Sequence, residues 1–125
     1  MSKPRSRLIG KADHEFRTVK GFTTVLHFGR QAKHLRGQPN YDASKSTITL
    51  SIQELQRLVE LKAGTGTWRQ ANREVVDFEV AIGLFRDLGT GELHRTTRGT
   101  IHYSKSGVHV VPADPSLSAR RKKKS

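Results

Sequence analysis

The sequence predicts a single α+β domain in which short helical segments precede an antiparallel sheet. Three observations support this class. The chain has 125 residues, which is enough for one modest hydrophobic core. One central segment has helical periodicity behind a clear start signal, and the C-terminal half contains segments in which apolar and polar residues alternate. Helix first and strands later is the order expected for α+β architecture.

The N-terminal half of this domain is predicted to hold one strand, one short helix and a loop. Residues 22–28, FTTVLHF, are rich in β-branched and aromatic side chains and predict a strand. Residues 29–35, GRQAKHL, predict a short helix or turn. The Pro, Asn, Asp and Ser content of residues 37–46 predicts a loop, and TITL at 47–50 alternates as a strand does.

The clearest helix begins at residue 51. Ser51 and Glu54 have the spacing of a capping box, in which each side chain satisfies a free backbone N–H of the first turn. The glycines of AGTG at 63–66 end the helix. Its apolar side chains fall on one stripe, and they are Ile52, Leu55, Leu58 and Val59.

The C-terminal half is predicted to form the sheet. Residues 73–87, REVVDFEVAIGLFRD, alternate so that Val76, Phe78 and Val80 share a face, and Gly83 indicates a bulge or bend. Residues 97–112, TRGTIHYSKSGVHVVP, predict a hairpin that Pro112 ends.

The hairpin carries the first candidate site. A two-residue turn at Ser106-Gly107 would pair Lys105 with Val108, which makes His102 and His109 diagonal neighbours. That separation suits a phosphodiester held between a proton acceptor and a proton donor, although any half-exposed hairpin also has a polar face. The predicted polar face consists of Thr100, His102, Ser104 and His109. The opposite face, predicted to point to the core, consists of Ile101, Tyr103 and Val110.

A second candidate segment is RQAKHLRGQPNY at 30–41. Lys33 or Arg36 could bind phosphate, His34 could transfer a proton, and Tyr41 could either stack on a base or lie in the core. His27 lies inside a strand-like run and is predicted to be packed.

Charge points to a polyanionic partner. The formal net charge is +12, and the positive excess lies outside residues 54–92, which are slightly acidic. We therefore expect nucleic acid as the partner, with an anionic membrane or an acidic protein as alternatives. Residues 1–20 are predicted to be weakly ordered, and residues 116–125 are predicted to form a disordered basic tail.

Several classes are disfavoured by the residues present. The chain contains no cysteine, which removes disulfides and thiolate chemistry. No apolar run could cross a membrane and no secretory signal is present, so a cytoplasmic site of action is expected. Neither metal-ligand spacing nor a phosphate-binding loop occurs, so no metal or cofactor is predicted. A metal-independent ribonuclease requires only a general base, a general acid and cations, because the RNA 2′-OH is the nucleophile. The histidines, lysines and arginines of this sequence could supply these groups.

Three segments, RQAKHLRGQPNY, LVELKAGTG and TTRGTIHYSKSGVHVVPADP, resemble in that order the polymorphic toxin type 50 domain, over about residues 30–115. The resemblance implies a ribonuclease toxin of the barnase/EndoU/colicin/RelE-like fold, in which a small helical N-terminal part packs on a four- or five-stranded antiparallel sheet. Such domains occur as C-terminal toxin tips and attached to phage head-morphogenesis proteins. The domain would span residues 21–115.

The resemblance and the residues together give two functional hypotheses. The first is a metal-independent endoribonuclease toxin that cleaves RNA to 2′,3′-cyclic phosphate and is neutralised by a cognate immunity protein. The second is a non-enzymatic RNA- or DNA-binding protein of a phage particle, and neither hypothesis involves a membrane. The predicted catalytic residues are His34, His102, His109 and Thr100, with His34 as general base. The predicted substrate-binding residues are Lys33, Arg36, Arg98, Tyr103, Ser104 and Lys105.

Overall fold

The computed structural model describes residues 16–35 and 45–116. Residues 1–15 of the predicted weakly ordered segment 1–20 lie outside the described residues, as do residues 117–125 of the predicted tail 116–125. Arg36 and residues 37–44 of the predicted loop, with Tyr41, also lie outside them. Within the described part, nine strands, two α-helices and one 3₁₀ segment follow one another along the chain. Their bounds are β1 Thr18–Val19, β2 Phe22–Thr23, α1 Phe28–Gln31, the 3₁₀ segment Ala32–His34, β3 Thr47–Ile48, α2 Ile52–Lys62, β4 Thr67–Gln70, β5 Arg73–Asp77, β6 Gly83–Arg86, β7 Leu93–Thr96, β8 Arg98–Ser104 and β9 Gly107–Pro112.

The predicted α+β class is wrong, and the described part of the chain is mostly β. Its strands form three antiparallel sheets, with the orders β1-β2, β3-β6-β7 and β4-β5-β8-β9. The helical N-terminal part implied by the resemblance is absent from this region: α1 has 4 residues, and α2 has 11. The predicted strand at 22–28 is divided, because β2 ends at Thr23 and α1 begins at Phe28.

One buried cluster joins the sheets to α2. Leu55 and Val59 of α2 lie in it together with Ile101 and Val110 of the four-stranded sheet β4-β5-β8-β9, which we call the central sheet; all four are fully buried. The helix starts where its sequence predicts, since Ser51 Oγ accepts a hydrogen bond from the Glu54 amide at 3.1 Å. The apolar stripe of α2 therefore contributes to the core and leaves the helix without a part in any site.

The alternation predicted for residues 73–87 ends early. Val76 and Phe78 are buried, whereas Val80 is 46% exposed, because β5 ends at Asp77 and Glu79 adopts a left-handed φ of 68°. Gly83 is the first residue of β6 instead of a bulge. A Cβ at this position would lie 2.1 Å from the carbonyl oxygen of Thr47, so only glycine permits the close pairing of β3 with β6.

The hairpin β8–β9 has a different register from the predicted one. Ser104 pairs with Gly107 and His102 pairs directly with His109. The turn is formed by Lys105 and Ser106, neither of which has a positive φ, while Gly107 has φ 128°. A primed turn at Ser106-Gly107 would force a positive φ on Ser106, and the glycine after the turn avoids that cost. Because the register differs by two residues, every side chain keeps its predicted face.

Candidate functional site

Three histidines stack in a row across one face of the central sheet, and we call them the histidine row: His102, His109 and His34. The ring centroids of His102 and His109 are 4.6 Å apart with an interplanar angle of 20°. The rings of His109 and His34 are 6.3 Å apart at 12°. His34, which lies 68 residues before His102 and 75 before His109 in sequence, thus contributes to the same surface, and the row runs from β8 through β9 to the 3₁₀ segment.

The position of His34 depends on Gln31, whose side chain bonds to the backbone of β9 in the way that a neighbouring strand would. The Gln31 side chain donates to the Val110 carbonyl at 2.9 Å and accepts from the Val110 amide at 2.7 Å. These two bonds satisfy the edge of β9 and fix the end of α1 against it. The 3₁₀ turn that follows then brings His34 over the row.

The hydrogen bond of His34 determines its tautomer. Nδ1 of His34 lies 2.9 Å from the carbonyl oxygen of Ser46, and a carbonyl oxygen can only accept. Nδ1 therefore carries the proton, and the basic lone pair of the neutral ring is on Nε2. The side chain is only 7% exposed, so packing and this bond hold the ring in one orientation.

The other two histidines of the row are kept neutral at pH 7. Burial and the nearby Arg73, with a smaller effect of His34, lower the pKa of His102 to about 4. Burial, the neighbouring His102 and His34, and the cations Arg30 and Lys33 lower the pKa of His109 to about 3. Stacked imidazoles that repel each other's charge behave as a coupled pair, so in the free protein this pair carries a proton only at acidic pH.

Cations lie at both ends of the row. On the β5 side, Arg73 is paired with His102 across the strands. On the helix side, Arg30 and Lys33 come from α1 and the 3₁₀ segment, and all three cations are exposed. The pKa effects of these cations follow the same division. Arg73 lowers the pKa of His102, while Arg30 and Lys33 lower the pKa of His109.

The predicted Ser104 holds one of these cations. Its hydroxyl accepts a hydrogen bond from Arg30 Nη1 at 2.9 Å and donates to the Gly107 carbonyl at 2.8 Å. A hydroxyl has a single proton, so in this arrangement Ser104 has no donor left for a substrate. It fixes the guanidinium of Arg30 beside the hairpin turn.

The remaining predicted site residues divide into two groups. The first group lies at or near the row. Thr100 is on the same face of β8, two residues before His102, the exposed Lys33 directly precedes His34, and the exposed Lys105 is in the hairpin turn. Tyr103 lies on the opposite face, 1% exposed, and donates to the buried Glu74 carboxylate at 2.6 Å. Arg98 is near the far end of β8, 3.6 Å from Asp77.

Sequence analysis missed Arg73 and did not include Arg30 among the predicted site residues. Only the register of β5 against β8 places Arg73 beside His102, and no local pattern reports that register. Arg30 could have been found, because it lies three residues before Lys33 and four before His34, a spacing that places side chains on one helical face.

Within 16–35 and 45–116, no group of three or more His, Cys, Asp or Glu side chains is arranged to hold a metal ion. Over the same ranges, no helix combines the length and the apolar character needed to span a membrane.

The fold and the site define a class: a small, basic, mostly β domain that presents a row of imidazoles between two sets of cations. The chain belongs to the bacterial toxin 50 family, whose family model matches residues 26–112, more than half of the chain. The matched span includes all three histidines of the row and both sets of cations. The protein is therefore a polymorphic toxin domain, as its resemblance implied. No curated protein matches the chain.

Proposed function

We propose that this toxin domain is an endoribonuclease whose histidine row performs both proton transfers of RNA cleavage. The observation that carries the proposal is the stacking of three imidazoles, at 4.6 and 6.3 Å between ring centroids, on a face rimmed by Arg30, Lys33 and Arg73. Cleavage of RNA needs a base for the 2′-OH, an acid for the leaving oxygen and cations for the phosphate.

His34 is the general base in this mechanism. Its Nε2 lone pair is directed by the bond of Nδ1 to the Ser46 carbonyl, the same orienting role that a backbone or carboxylate oxygen has in other histidine bases. Nε2 takes the proton of the 2′-OH while O2′ forms a bond to the adjacent phosphorus. Arg30 and Lys33 stabilise the charge that develops on the phosphoryl oxygens.

The stacked pair His102 and His109 supplies the acid. A phosphodiester beside the pair adds a negative charge, which raises the pKa of the imidazoles and favours one shared proton. As the bond from phosphorus to O5′ breaks, the pair gives this proton to O5′. The products are a 2′,3′-cyclic phosphate and a free 5′-OH, and the proton on His34 returns to solvent.

A DNA oligonucleotide with a single ribonucleotide tests this proposal, because it defines one cleavable bond. We expect the full chain, in the presence of EDTA, to cut it at that position and leave a cyclic phosphate detectable by mass spectrometry. His34→Ala and His109→Ala should each lower kcat by about 100-fold or more. His94→Ala is the matched control, since His94 is exposed on β7, outside the row.

Two outcomes would contradict the endoribonuclease proposal. One is an intact oligonucleotide after prolonged incubation with folded protein. The other is a His34→Ala, His109→Ala double variant that cleaves as fast as the unsubstituted chain. Salt-sensitive binding without any cleavage would instead favour the second hypothesis, a nucleic-acid-binding component of a phage particle.

The proposal extends to the partner and the place of action. A toxin family is compatible with a cognate immunity protein, and an inhibitor of this site would have to cover a basic surface. We therefore propose an acidic immunity protein that covers the histidine row, and action in the cytoplasm, where RNA is accessible. Co-expression with an acidic neighbouring gene product should restore growth that the toxin domain alone abolishes.

A further inference from the structure

The two sets of cations beside the histidine row lie on opposite sides of it. The row crosses the strands, because Arg73 of β5 pairs with His102 of β8, and His102 pairs with His109 of β9. Neighbouring strands are about 4.8 Å apart, so the backbones at Arg73 and His109 are separated by about 10 Å. His34 and Lys33 extend the same surface beyond β9, the edge strand of this sheet, while the guanidinium of Arg30 reaches back to Ser104 at the turn end of the hairpin.

One of the two helix-side cations, Arg30, is held beside the hairpin by hydrogen bonds. Arg30 is tied through its guanidinium to Ser104 at 2.9 Å, and its amide is bound by His27 Nδ1 at 3.2 Å. Arg73 has no such tie in the described hydrogen bonds and lies on the opposite side of His102. Arg73 lies beside His102 through the register of β5 with β8, whereas Arg30 and Lys33 act on His109. The two sets of cations therefore flank different imidazoles of the row, and a phosphate beside each imidazole has its own cation nearby.

We propose that the substrate is a single RNA strand that crosses the β-strands along the histidine row, with three consecutive phosphates bound. The scissile phosphate lies over the stacked imidazoles. The phosphate on one side of it binds Arg73, and the phosphate on the other side binds Arg30 and Lys33. This inference rests on the proposed function, and it specifies a substrate of at least three linked phosphates in place of a dinucleotide.

Neutralising one phosphate at a time tests this path. The substrate is the DNA oligonucleotide with a single ribonucleotide, made in three forms: unmodified, or with one uncharged methylphosphonate on the 5′ or on the 3′ side of the scissile phosphate. For the unsubstituted chain, each modification should lower kcat/KM by about 5- to 10-fold, as expected for loss of one partly exposed charged contact.

The variants assign each phosphate to its cation. Arg73→Gln should lose sensitivity to one of the two modifications and keep sensitivity to the other. Arg30→Gln should show the reverse pattern, and Ser104→Ala should reproduce part of the Arg30→Gln effect. Arg95→Gln is the control, because Arg95 is exposed on β7 and removes the same charge away from the row. Thermal melts of each variant confirm that it is folded.

Binding separates a failure of this path from a failure of the proposed function. The all-deoxy versions of the three oligonucleotides cannot be cleaved, and their affinities are measured by fluorescence anisotropy. The expected crossed pattern in binding, without cleavage of the ribonucleotide substrate, would support the path and overturn the endoribonuclease. If the substrate is cleaved but Arg73→Gln and Arg30→Gln both become insensitive to the same methylphosphonate, the path is wrong and the endoribonuclease stands. The same holds if neither methylphosphonate changes kcat/KM for the unsubstituted chain.

Discussion

The imidazoles of His102 and His109 are neutral at pH 7 because burial and neighbouring cations disfavour the charged form. A general acid must nevertheless hold a proton when the leaving oxygen departs. In the proposed mechanism, a bound phosphodiester raises the pKa of the pair, so that protonation accompanies substrate binding. The proposed base, His34, lies at the opposite end of the row from His102, with its Nδ1 bound to the Ser46 carbonyl.

This arrangement makes a prediction about pH. Since kcat/KM reports the free protein, and the pair in that state has pKa values of about 4 and about 3, the protonated fraction shrinks as pH rises. We expect kcat/KM for the single-ribonucleotide substrate to fall by about tenfold per pH unit above pH 7. The decline of kcat should begin at a higher pH, because bound phosphate raises the pKa of the pair.

Initial rates between pH 5 and 9 check this prediction. Arg73→Gln removes a cation that lowers the pKa of His102, so its kcat/KM profile should be displaced to higher pH. A kcat/KM that is constant or increases above pH 7 would show that the stacked pair is not the acid.

At the scale of elements, the side chains of strand β8 alternate between the face of the histidine row and the hydrophobic core. Thr100, His102 and Ser104 face the site, while Ile101 and Tyr103 face the core, with burial alternating along the whole strand. Behind the site, the buried Glu74 carboxylate accepts bonds from the Gly64 amide at 3.0 Å and the Gly66 amide at 2.7 Å. Together with the Tyr103 hydroxyl, these donors satisfy a charge that would otherwise be costly to bury.

Tyr103 is therefore expected to contribute to stability and not to substrate binding, contrary to the role that family resemblance implied. Tyr103→Phe removes one donor to Glu74 and should lower the free energy of unfolding by about 1–3 kcal/mol. RNA cleavage at 20 °C should be unchanged. His102→Gln, on the other face of the same strand, should abolish most cleavage and change stability by less. Urea denaturation and initial rates measure both effects, and a Tyr103→Phe variant with intact stability and weaker RNA affinity would reverse the assignment.

The same alternation explains which parts of the fold were predictable. The face of each β8 side chain follows from strand periodicity alone, so it survived an error of two residues in the hairpin register. The cap at Ser51 and the stripe of α2 were also predictable, because their signals are local. The division of 22–28 was not, since Phe28 begins a helix that depends on the contact of Gln31 with Val110, a residue far away in sequence.

The candidate site was predictable only in part for the same reason. His34, His102 and His109 could be proposed from residue type and from resemblance, but their order in a row depends on the register of β8 with β9 and on the docking of α1. Arg73 enters the site through a pairing between distant segments. In a mostly β fold, much of the structure is determined by pairing between strands that are distant in sequence. The predicted class was built from local patterns and therefore contained too much helix.

At the scale of the whole molecule, a formal net charge of +12 attracts any polyanion, so charge alone does not distinguish the site from the rest of the surface. Salt dependence does distinguish them. Each phosphate neutralised on a single strand contributes about −0.7 to the slope of log K against log salt concentration. Three phosphates along the histidine row therefore account for a slope of about −2, and additional non-specific contacts make it steeper.

We expect Arg73→Gln to make the salt slope of oligonucleotide binding shallower by about 0.7, because it releases one phosphate contact. Arg30→Gln should make the slope shallower by a smaller amount, because Lys33 still contacts the same phosphate. Arg95→Gln removes an equal charge from a different sheet and should lower affinity slightly with the slope nearly unchanged. Anisotropy titrations of the all-deoxy oligonucleotide from 50 to 300 mM salt measure all three slopes. Equal slopes for the three variants would mean that the bound strand is held by overall charge, and that the cations beside the histidine row have no privileged contact with it.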